Sequence, residues 1–174
     1  MVAFRNIILF ITAASALTVG KRDTQTILSD ISSIDTNVKA LTATFNRYNG
    51  GFYSALPILS AEQNVEDSIQ QGTTDTKASS QQTSAQSNRI MAAINKVIPN
   101  IESALSAAMA KKGKFAADGL KSTVQVYIDN LQNETDELAD AIIAIASADT
   151  KASGRALKSR IDKDFDAAMS YFAK

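Results

Sequence analysis

Residues 23–51 read DTQTILSDISSIDTNVKALTATFNRYNGG and carry the plainest fold signal in the chain. Their apolar positions are separated by four, three, four, three and four residues, and they are Ile27, Ile31, Ile34, Val38, Leu41 and Phe45. This spacing places all of these side chains on one face of an α-helix. Gly50 and Gly51 then allow the chain to reverse sharply. The stretch predicts one long amphipathic helix followed by a tight turn.

The same helical periodicity continues to the C-terminus, and no run alternates with period two for long enough to indicate a strand. We expect Gly72-Thr73-Thr74 to end the second helix, Pro99 to kink or break the third, and residues 113–119 to form a loop. The sequence also contains 28 Ala against 7 Gly and 2 Pro, which favours helix over sheet. The prediction is an all-α bundle of about five mostly antiparallel helices in one domain.

The composition excludes several classes of site. The 174 residues include no His, no Cys and no Trp, which excludes disulfides, thiolate or imidazole metal ligands, and any triad with a His base. The 18 basic and 18 acidic residues balance, so the chain lacks the positive charge excess of a nucleic-acid-binding protein. We expect no catalytic residue, no metal, no cofactor and no nucleic-acid partner.

Three charged clusters have ordinary structural interpretations. Acidic residues at 136–140 and 162–166 could perform acid–base chemistry if one carboxyl were desolvated, but they flank apolar stripes and indicate solvated helix faces. The basic run at 111–114 lies at a predicted helix C-terminus, where cations complement the helix dipole. Neither type of cluster favours an enzyme over a binding protein.

The N-terminus has the pattern of a secretory signal. An apolar run at 7–13 follows Arg5 and precedes Ala14-Ser15-Ala16, a small-x-small cleavage site, and it is too short to span a bilayer. We expect a signal peptide at 1–16, a propeptide at 17–22 that ends in Lys-Arg, and a mature domain at 23–174. No transmembrane segment is expected.

The predicted mature chain has a net charge of −3, because residues 1–22 contain three basic and no acidic residues. A polyanionic partner is therefore not expected. Asn133-Glu134-Thr135 is the single N-x-S/T sequon, and helix geometry points Asn133 away from the apolar stripe that includes Thr135. Asn133 is a candidate glycosylation site, and an unused sequon is the alternative.

The apolar stripes raise the question of an internal ligand. Abundant Ala between them allows either close helix packing or lengthwise gaps, and a gap of this kind suits an acyl chain. The candidate cavity-lining residues are Ile34, Val38, Leu41, Leu59, Ile69, Ile90, Ile94, Leu105, Val124, Leu131, Leu138, Ile142, Ile161 and Phe165. Hydroxyl groups interrupt the same stripes and are candidates for binding a polar head group, namely Ser80, Thr83, Ser87 and Thr135. A solid core built from the same residues is the alternative.

Several short segments, in order along 23–174, resemble a known family. They are ILSDI at 27–31, VKALT at 38–42, YNGG at 48–51, ALPI at 55–58, KKGKF at 111–115, GL at 119–120, TDEL at 135–138 and AII at 141–143. Together with the Lys-Arg pair before Asp23, this ordered set resembles the fungal hydrophobic-surface-binding proteins, also called cell-wall galactomannoproteins. No single segment is diagnostic.

The resemblance implies a secreted or wall-associated helical bundle without known catalysis. Members adsorb to hydrophobic surfaces, and some recruit polyester-degrading hydrolases there, whereas related wall mannoproteins hold fatty acids such as arachidonic acid between their helices. The chain lacks the Ser/Thr/Pro-rich tail and anchor signal of the wall-bound members, which favours a free extracellular form.

Two functions remain open from the sequence. The preferred one is a binding protein for a long-chain fatty acid or similar lipid. The alternative is a surface-active protein that adsorbs to hydrophobic surfaces and recruits hydrolases, without an internal ligand. An enzyme is a distant third, because no nucleophile–base pair can be named.

Overall fold

The computed structural model describes the backbone of residues 8–174 and the side chains of residues 24–174. This part of the chain forms an all-α bundle with no strand, which confirms the predicted fold class. The helices are α1 (Ile8–Arg47), α2 (Leu56–Ala78), α3 (Ser84–Ala110), α4 (Lys112–Ala117), α5 (Lys121–Ile145) and α6 (Lys151–Ala173), with a 3₁₀ turn at Phe52–Ala55.

The predicted signal peptide and propeptide lie outside the residues whose side chains are described. The backbone from Ile8 onward belongs to α1, so the helix passes through residue 23 without interruption. The proposed cleavage boundaries at 16 and 22 stay predictions.

The predicted helix break at residues 72–74 is wrong, since α2 continues to Ala78. Gly72 instead lets three helices approach closely. A Cβ atom there would lie 3.4 Å from Asp30 Cβ of α1, and 3.7 Å from both the Ile34 and Leu138 Cδ1 atoms. Gly72 therefore marks a packing contact inside the helix.

The prediction at 113–119 also needs correction, and at Pro99 the structure excludes a break, which was one of the two predicted alternatives. Pro99 lies inside α3, which does not break there. Residues 112–117 form the short helix α4 because Phe115 is fully buried and anchors this segment on the bundle. Tertiary burial thus overrides the loop signal of Gly113, whereas Gly119, at φ 71°, lies in the turn that follows α4.

The five long helices form a closed ring in the order α1, α2, α5, α6, α3, in which each packs against two neighbours. Successive long helices along the chain run in opposite directions, as predicted. Around the ring, the α1–α2 and α5–α6 pairs are antiparallel. The α1–α3 pair runs parallel, as shown by bonds from Asn100 to Asp35 and from Lys111 to the Asn46 carbonyl, and the α2–α5 and α3–α6 pairs are parallel as well.

Ring size determines how much space the helices enclose. With neighbouring axes about 9 Å apart, a ring of five helices has its centre about 8 Å from each axis, compared with about 6 Å for four helices. In the wider ring, side chains from opposite helices make fewer contacts across the centre. The fold itself thus favours a central gap.

One end of the ring, here called the Phe115 end, is closed by an aromatic cluster. The Phe115 ring stacks on Tyr48 at 4.7 Å between centroids and meets the Phe45 ring edge-on at 6.2 Å. Asp118 accepts hydrogen bonds from the Tyr48 hydroxyl and the Gly51 N–H. These bonds lower the pKa of Asp118, while burial and the Asp118 carboxylate raise the pKa of Tyr48 to about 12.

The basic run at 111–114 lies at the same end and binds helix C-termini. The Lys111 ammonium donates to the Asn46 and Tyr48 carbonyls, at 3.0 and 2.7 Å, and Lys112 donates to the Tyr171 carbonyl at 2.7 Å. These contacts complement the carbonyl ends of α1 and α6, so the cluster has the helix-dipole role expected of it.

The opposite end, here called the Gln82 end, is closed by polar bonds around the loop at residues 79–83. The Gln82 N–H donates to the Ile145 carbonyl at 2.8 Å, and its side-chain oxygen accepts from the Thr24 hydroxyl at 2.7 Å. The Ser147 N–H donates to the Ser87 hydroxyl oxygen at 2.9 Å. These bonds tie the loop between α2 and α3 to α1 and to the end of α5, and they tie the start of α3 to the loop after α5.

Candidate functional site

The ring of helices encloses an apolar cavity of about 110 Å³. All five long helices contribute to its lining, which consists of Ile31, Ile34, Val38, Leu41, Phe45, Ile58, Glu62, Val65, Ile69, Ile94, Val97, Ile101, Ala104, Leu105, Ala108, Val124, Tyr127, Ile128, Leu131, Thr135, Leu138, Ala139, Ile142, Ile161 and Phe165. A void large enough for several waters but almost without polar partners does not hold water well. Its chemistry suits a hydrocarbon.

The structure places twelve of the fourteen predicted lining residues around this cavity. They are Ile34, Val38, Leu41, Ile69, Ile94, Leu105, Val124, Leu131, Leu138, Ile142, Ile161 and Phe165. The periodicity of the stripes thus identified most of the inward-facing positions. Whether these residues contact a ligand stays a prediction.

The prediction that Leu59 lines the cavity is wrong, because a glutamate on the inward face of α2 obscures which residues face inward. The inward face of α2 carries Ile58, Glu62, Val65 and Ile69, spaced by four, three and four residues. Treating Glu62 as a solvent-facing residue shifts the apparent face by one position, from Ile58 to Leu59. Leu59 is instead only half-buried.

Ile90 lies on the inward face of α3 but beyond the cavity. It is fully buried and precedes Ile94 by four residues, which is about 6 Å along the helix axis. This position is next to Ser87, where the Gln82 end closes. Ile90 therefore belongs to the solid core at that end.

Three of the four predicted head-group hydroxyls also lie away from the cavity. Ser80 and Thr83 are exposed in the loop between α2 and α3, and Thr83 caps α3 together with Gln86. Ser87 is buried but accepts its bond from the Ser147 N–H. The prediction that these hydroxyls share one face assumed a continuous helix through residues 76–98. The loop between α2 and α3 interrupts that helix, so the hydroxyls do not form a row. Thr135 is the member that does line the cavity.

Two polar lining residues were missed by the sequence reading. Among the described lining residues, Glu62, Tyr127 and Thr135 are polar, and the first two were not predicted. Burial, followed by the nearby charges of Glu66 and Glu134, raises the pKa of Glu62 to about 7. Burial and Glu62 also raise the pKa of Tyr127. The regular four-three-four spacing around Glu62 was the signal that could have revealed it.

The remaining lining residues omitted from the predicted site are apolar. Ile31 and Phe45 belong to the apolar stripe of α1, whereas Ile58, Ala104 and Ala139 lie at positions that no predicted stripe includes. Small residues at two of these positions leave room in the cavity instead of filling it. Their alanines carry no hydrophobic signal strong enough to assign a face.

The two acidic clusters meet across the α5–α6 contact. Lys158 pairs with Asp136 at 2.8 Å and with Asp140 at 3.7 Å. Burial and Asp136 raise the pKa of Asp162 to about 6, with Lys158 acting in the opposite direction. Asp136, Asp162 and Asp164 are thus half-buried, which corrects the expectation of solvated faces for these three. The other acidic residues of the clusters are exposed as expected, namely Glu137, Asp140 and Asp166. Nowhere within residues 24–174 do three or more His, Cys, Asp or Glu side chains gather to hold a metal ion.

An exposed apolar patch projects from the Phe115 end. The patch consists of Phe52, Tyr53 and Leu56, which are 61%, 83% and 49% exposed. The two rings pack edge to face, with centroids 5.8 Å apart.

Asn133 is exposed on α5, as its spacing from Thr135 indicates. None of the helices in the described region combines the length and apolar character needed to cross a bilayer.

Comparison with known proteins identifies relatives of the whole bundle. The sequence profile of hydrophobic surface binding protein A matches residues 24–144. The crystal structure of AfMp4p in complex with palmitic acid is 36% identical and superposes with a TM-score of 0.84, covering 86% of this chain and 99% of AfMp4p. No curated protein sequence matches the chain.

Two more distant structures share the fold. Ligand binding domain 1 of the Penicillium marneffei MP1 protein, complexed with arachidonic acids, is 12% identical with a TM-score of 0.81, covering 86% of this chain and 98% of that domain. Ligand binding domain 2 of the same protein, complexed with multiple arachidonic acids, is 16% identical with a TM-score of 0.78, covering 87% and 95%.

Proposed function

We propose, since this chain belongs to the hydrophobic surface binding protein A family, that it binds a long-chain fatty acid in the cavity enclosed by its five long helices. The observation that carries the proposal is the apolar cavity itself, whose lining comes from every long helix. The palmitic acid complex of AfMp4p, at 36% identity over nearly its whole length, supports the choice of ligand class.

The energetics of an apolar cavity favour a hydrocarbon ligand. Each buried methylene contributes about 0.8 kcal/mol, and the cavity of about 110 Å³ holds about four of them. Burying ten, which requires the helix walls to move outward, contributes about 8 kcal/mol. This corresponds to micromolar affinity before the cost of association is subtracted. The twelve predicted residues on the cavity wall would contact the acyl chain, and Thr135 would lie beside it.

Binding can be tested with protein stripped of lipid under denaturing conditions and refolded. We expect native mass spectrometry to show a stoichiometric complex with palmitic acid, and fluorescence titration to show saturable displacement of a polyene fatty acid. Denatured protein is the matched negative control. Bare chain at every palmitic acid concentration would overturn the proposal.

A second function, adsorption to hydrophobic surfaces, is favoured by the exposed patch of Phe52, Tyr53 and Leu56. Large apolar side chains that are exposed together mark interaction sites. The family description names this kind of binding. Recruitment of secreted hydrolases to such a surface stays a prediction of the family resemblance.

Adsorption is separable from internal binding by mutation. Replacing Phe52, Tyr53 and Leu56 with Ser should reduce retention on alkyl-coated beads severalfold and leave palmitic acid affinity unchanged. Val126→Ser is the control, because Val126 is 55% exposed on α5 outside the patch. Equal losses in both proteins would contradict a specific adsorbing surface.

The predicted processing and location complete the proposal. A signal peptide at 1–16 and a propeptide at 17–22 would release an extracellular domain that starts at Asp23, and the family match that begins at residue 24 supports this boundary. The exposure of Asn133 supports its use as a glycan site. We propose a binding role without catalysis for this domain.

A further inference from the structure

We propose, building on the internal lipid site proposed above, that Glu62 is a specificity-determining residue of the cavity. In this proposal the neutral carboxyl of Glu62 donates a hydrogen bond to an acceptor oxygen of the bound lipid, such as a carboxylate or ester carbonyl. Lipid uptake is then coupled to the protonation of this side chain.

The geometry of Glu62 is the basis for this inference. The residue is 3% exposed, and it stands on the inward face of α2 between Ile58 and Val65. Its Oε1 atom is buried and has no hydrogen-bond partner among the described residues. A buried polar atom without a partner is costly, and natural proteins keep such atoms where a ligand or water satisfies them.

The surroundings of Glu62 oppose its negative charge. Three titratable side chains lie near the Glu62 carboxyl, and none of them is a cation. They are Glu66 on the same helix and Glu134 and Tyr127 on α5. The cavity wall that α1 contributes is apolar, and the α1 carboxyl Asp30 faces Asp75 at the far end of α2. The neutral acid, which can donate a hydrogen bond, is therefore the form compatible with a filled cavity.

The direction of the pH dependence follows from these contacts. A lipid that fills the cavity excludes water from Glu62 and binds the protonated form more tightly than the charged form. Affinity is therefore greatest below the pKa of about 7 and falls as the pH rises above it. A ligand that strictly requires the neutral form loses about tenfold in affinity for each further pH unit.

The test uses two fluorescent probes that do not titrate. Methyl parinarate has an ester carbonyl as hydrogen-bond acceptor, whereas diphenylhexatriene is a hydrocarbon without one. Affinities for both are measured between pH 6 and 8.5 with wild-type protein, Glu62→Gln, Glu62→Leu and the control Glu66→Gln. Glu66 lies one turn away on α2 and does not line the cavity.

We expect wild-type protein to lose about tenfold in methyl parinarate affinity for each pH unit above 7. Glu66→Gln should keep this loss but begin it at lower pH, because the variant removes one of the charges that raise the Glu62 pKa. Glu62→Gln keeps a donor without a charge, so it should bind the ester independently of pH. Glu62→Leu should lose up to about tenfold in affinity for the ester relative to diphenylhexatriene, the value of one hydrogen bond. Circular dichroism verifies that each variant is folded.

The inference is overturned if wild-type affinity for the ester is constant from pH 6 to 8.5. It is also overturned if Glu62→Leu leaves the ratio of ester to hydrocarbon affinity unchanged. Saturable binding of both probes with these negative results would reject the role of Glu62 and leave the lipid site intact. Absence of binding by both probes at every pH would reject the lipid site as well.

Discussion

Replacing Ala104 with Phe should stabilise the empty protein and weaken lipid binding at the same time. Ala104 is 7% exposed and lines the cavity from α3, so the added ring grows into open space. Unfilled volume costs about 24 cal/mol per Å³, so a cavity of about 110 Å³ costs about 2.6 kcal/mol. A ring that fills about half of it should therefore raise the free energy of unfolding by about 1 kcal/mol.

The same ring occupies space that the acyl chain would use. Half of the cavity holds about two methylenes, each worth about 0.8 kcal/mol, so displacing them weakens binding by about 1.6 kcal/mol, or a little more than tenfold. Opposite signs for stability and affinity distinguish a functional cavity from a packing defect, since filling a mere defect changes stability alone.

The matched control is Ala107→Phe. Ala107 is 8% exposed on the same helix but lies outside the cavity, so its added ring meets packed atoms. It should lower the free energy of unfolding by about 1–3 kcal/mol and leave affinity nearly unchanged. Urea denaturation of lipid-free protein and titration with palmitic acid measure the two quantities. An Ala104→Phe protein that is less stable than wild type and binds equally well would refute the reasoning.

Three further outcomes are expected. Phe115→Ala should lower the free energy of unfolding by about 3–5 kcal/mol in urea denaturation, because it removes a fully buried ring from its stack on Tyr48; a loss below 1 kcal/mol would contradict the closure of that end. Gly72→Ala should be tolerated, because the added Cβ meets its neighbours at 3.4–3.7 Å. Gly72→Leu should lower the free energy of unfolding by about 1–3 kcal/mol through overpacking. Equal melting temperatures for the two variants would show that α2 can shift to make room. The free energy of unfolding of the wild-type protein should fall between pH 4.5 and about 7, because the folded state holds the Glu62 proton to higher pH than the unfolded state. Glu62→Gln should remove this loss, which reaches up to about 3 kcal/mol at pH 8. Parallel pH profiles for the two proteins would argue against this assignment.

The first helix shows what periodicity can predict. The regular spacing from Ile27 to Phe45 defines one buried face, and five of its six apolar residues lie on the cavity wall. Hydrophobic burial decides both the pattern and the packing there, so sequence and structure agree. The same logic holds for α5 and α6.

The errors have local physical causes. Glu62 has a charged side chain at a buried position, so an assignment based on hydrophobicity alone finds Ile69 on the inward face of α2 but selects Leu59 instead of Ile58 in its first turn. Thr83 and Gln86 form a capping box that starts α3, and the spacing of these two residues was visible in the sequence. It was overlooked because Ser80, Thr83 and Ser87 also fit a helical repeat.

Other features were beyond any local pattern. The contact between α2 and α5 joins helices that are separated by α3 and α4 in the chain. Periodicity states which face of each helix is buried but not which helix it meets. The number of helices around the ring, and hence the open space at its centre, depends on that choice of neighbours.

The position of the Phe52, Tyr53 and Leu56 patch sets how the molecule would stand on an oily interface. The patch occupies the tip of the bundle between α1 and α2, and not the flank of a helix. Attachment by this tip would hold the long axis upright, in a monolayer about 40 Å thick, from helices of about 25 residues at 1.5 Å each. Each molecule would then cover only its narrow cross-section, and its far end would remain in water, free to meet other proteins.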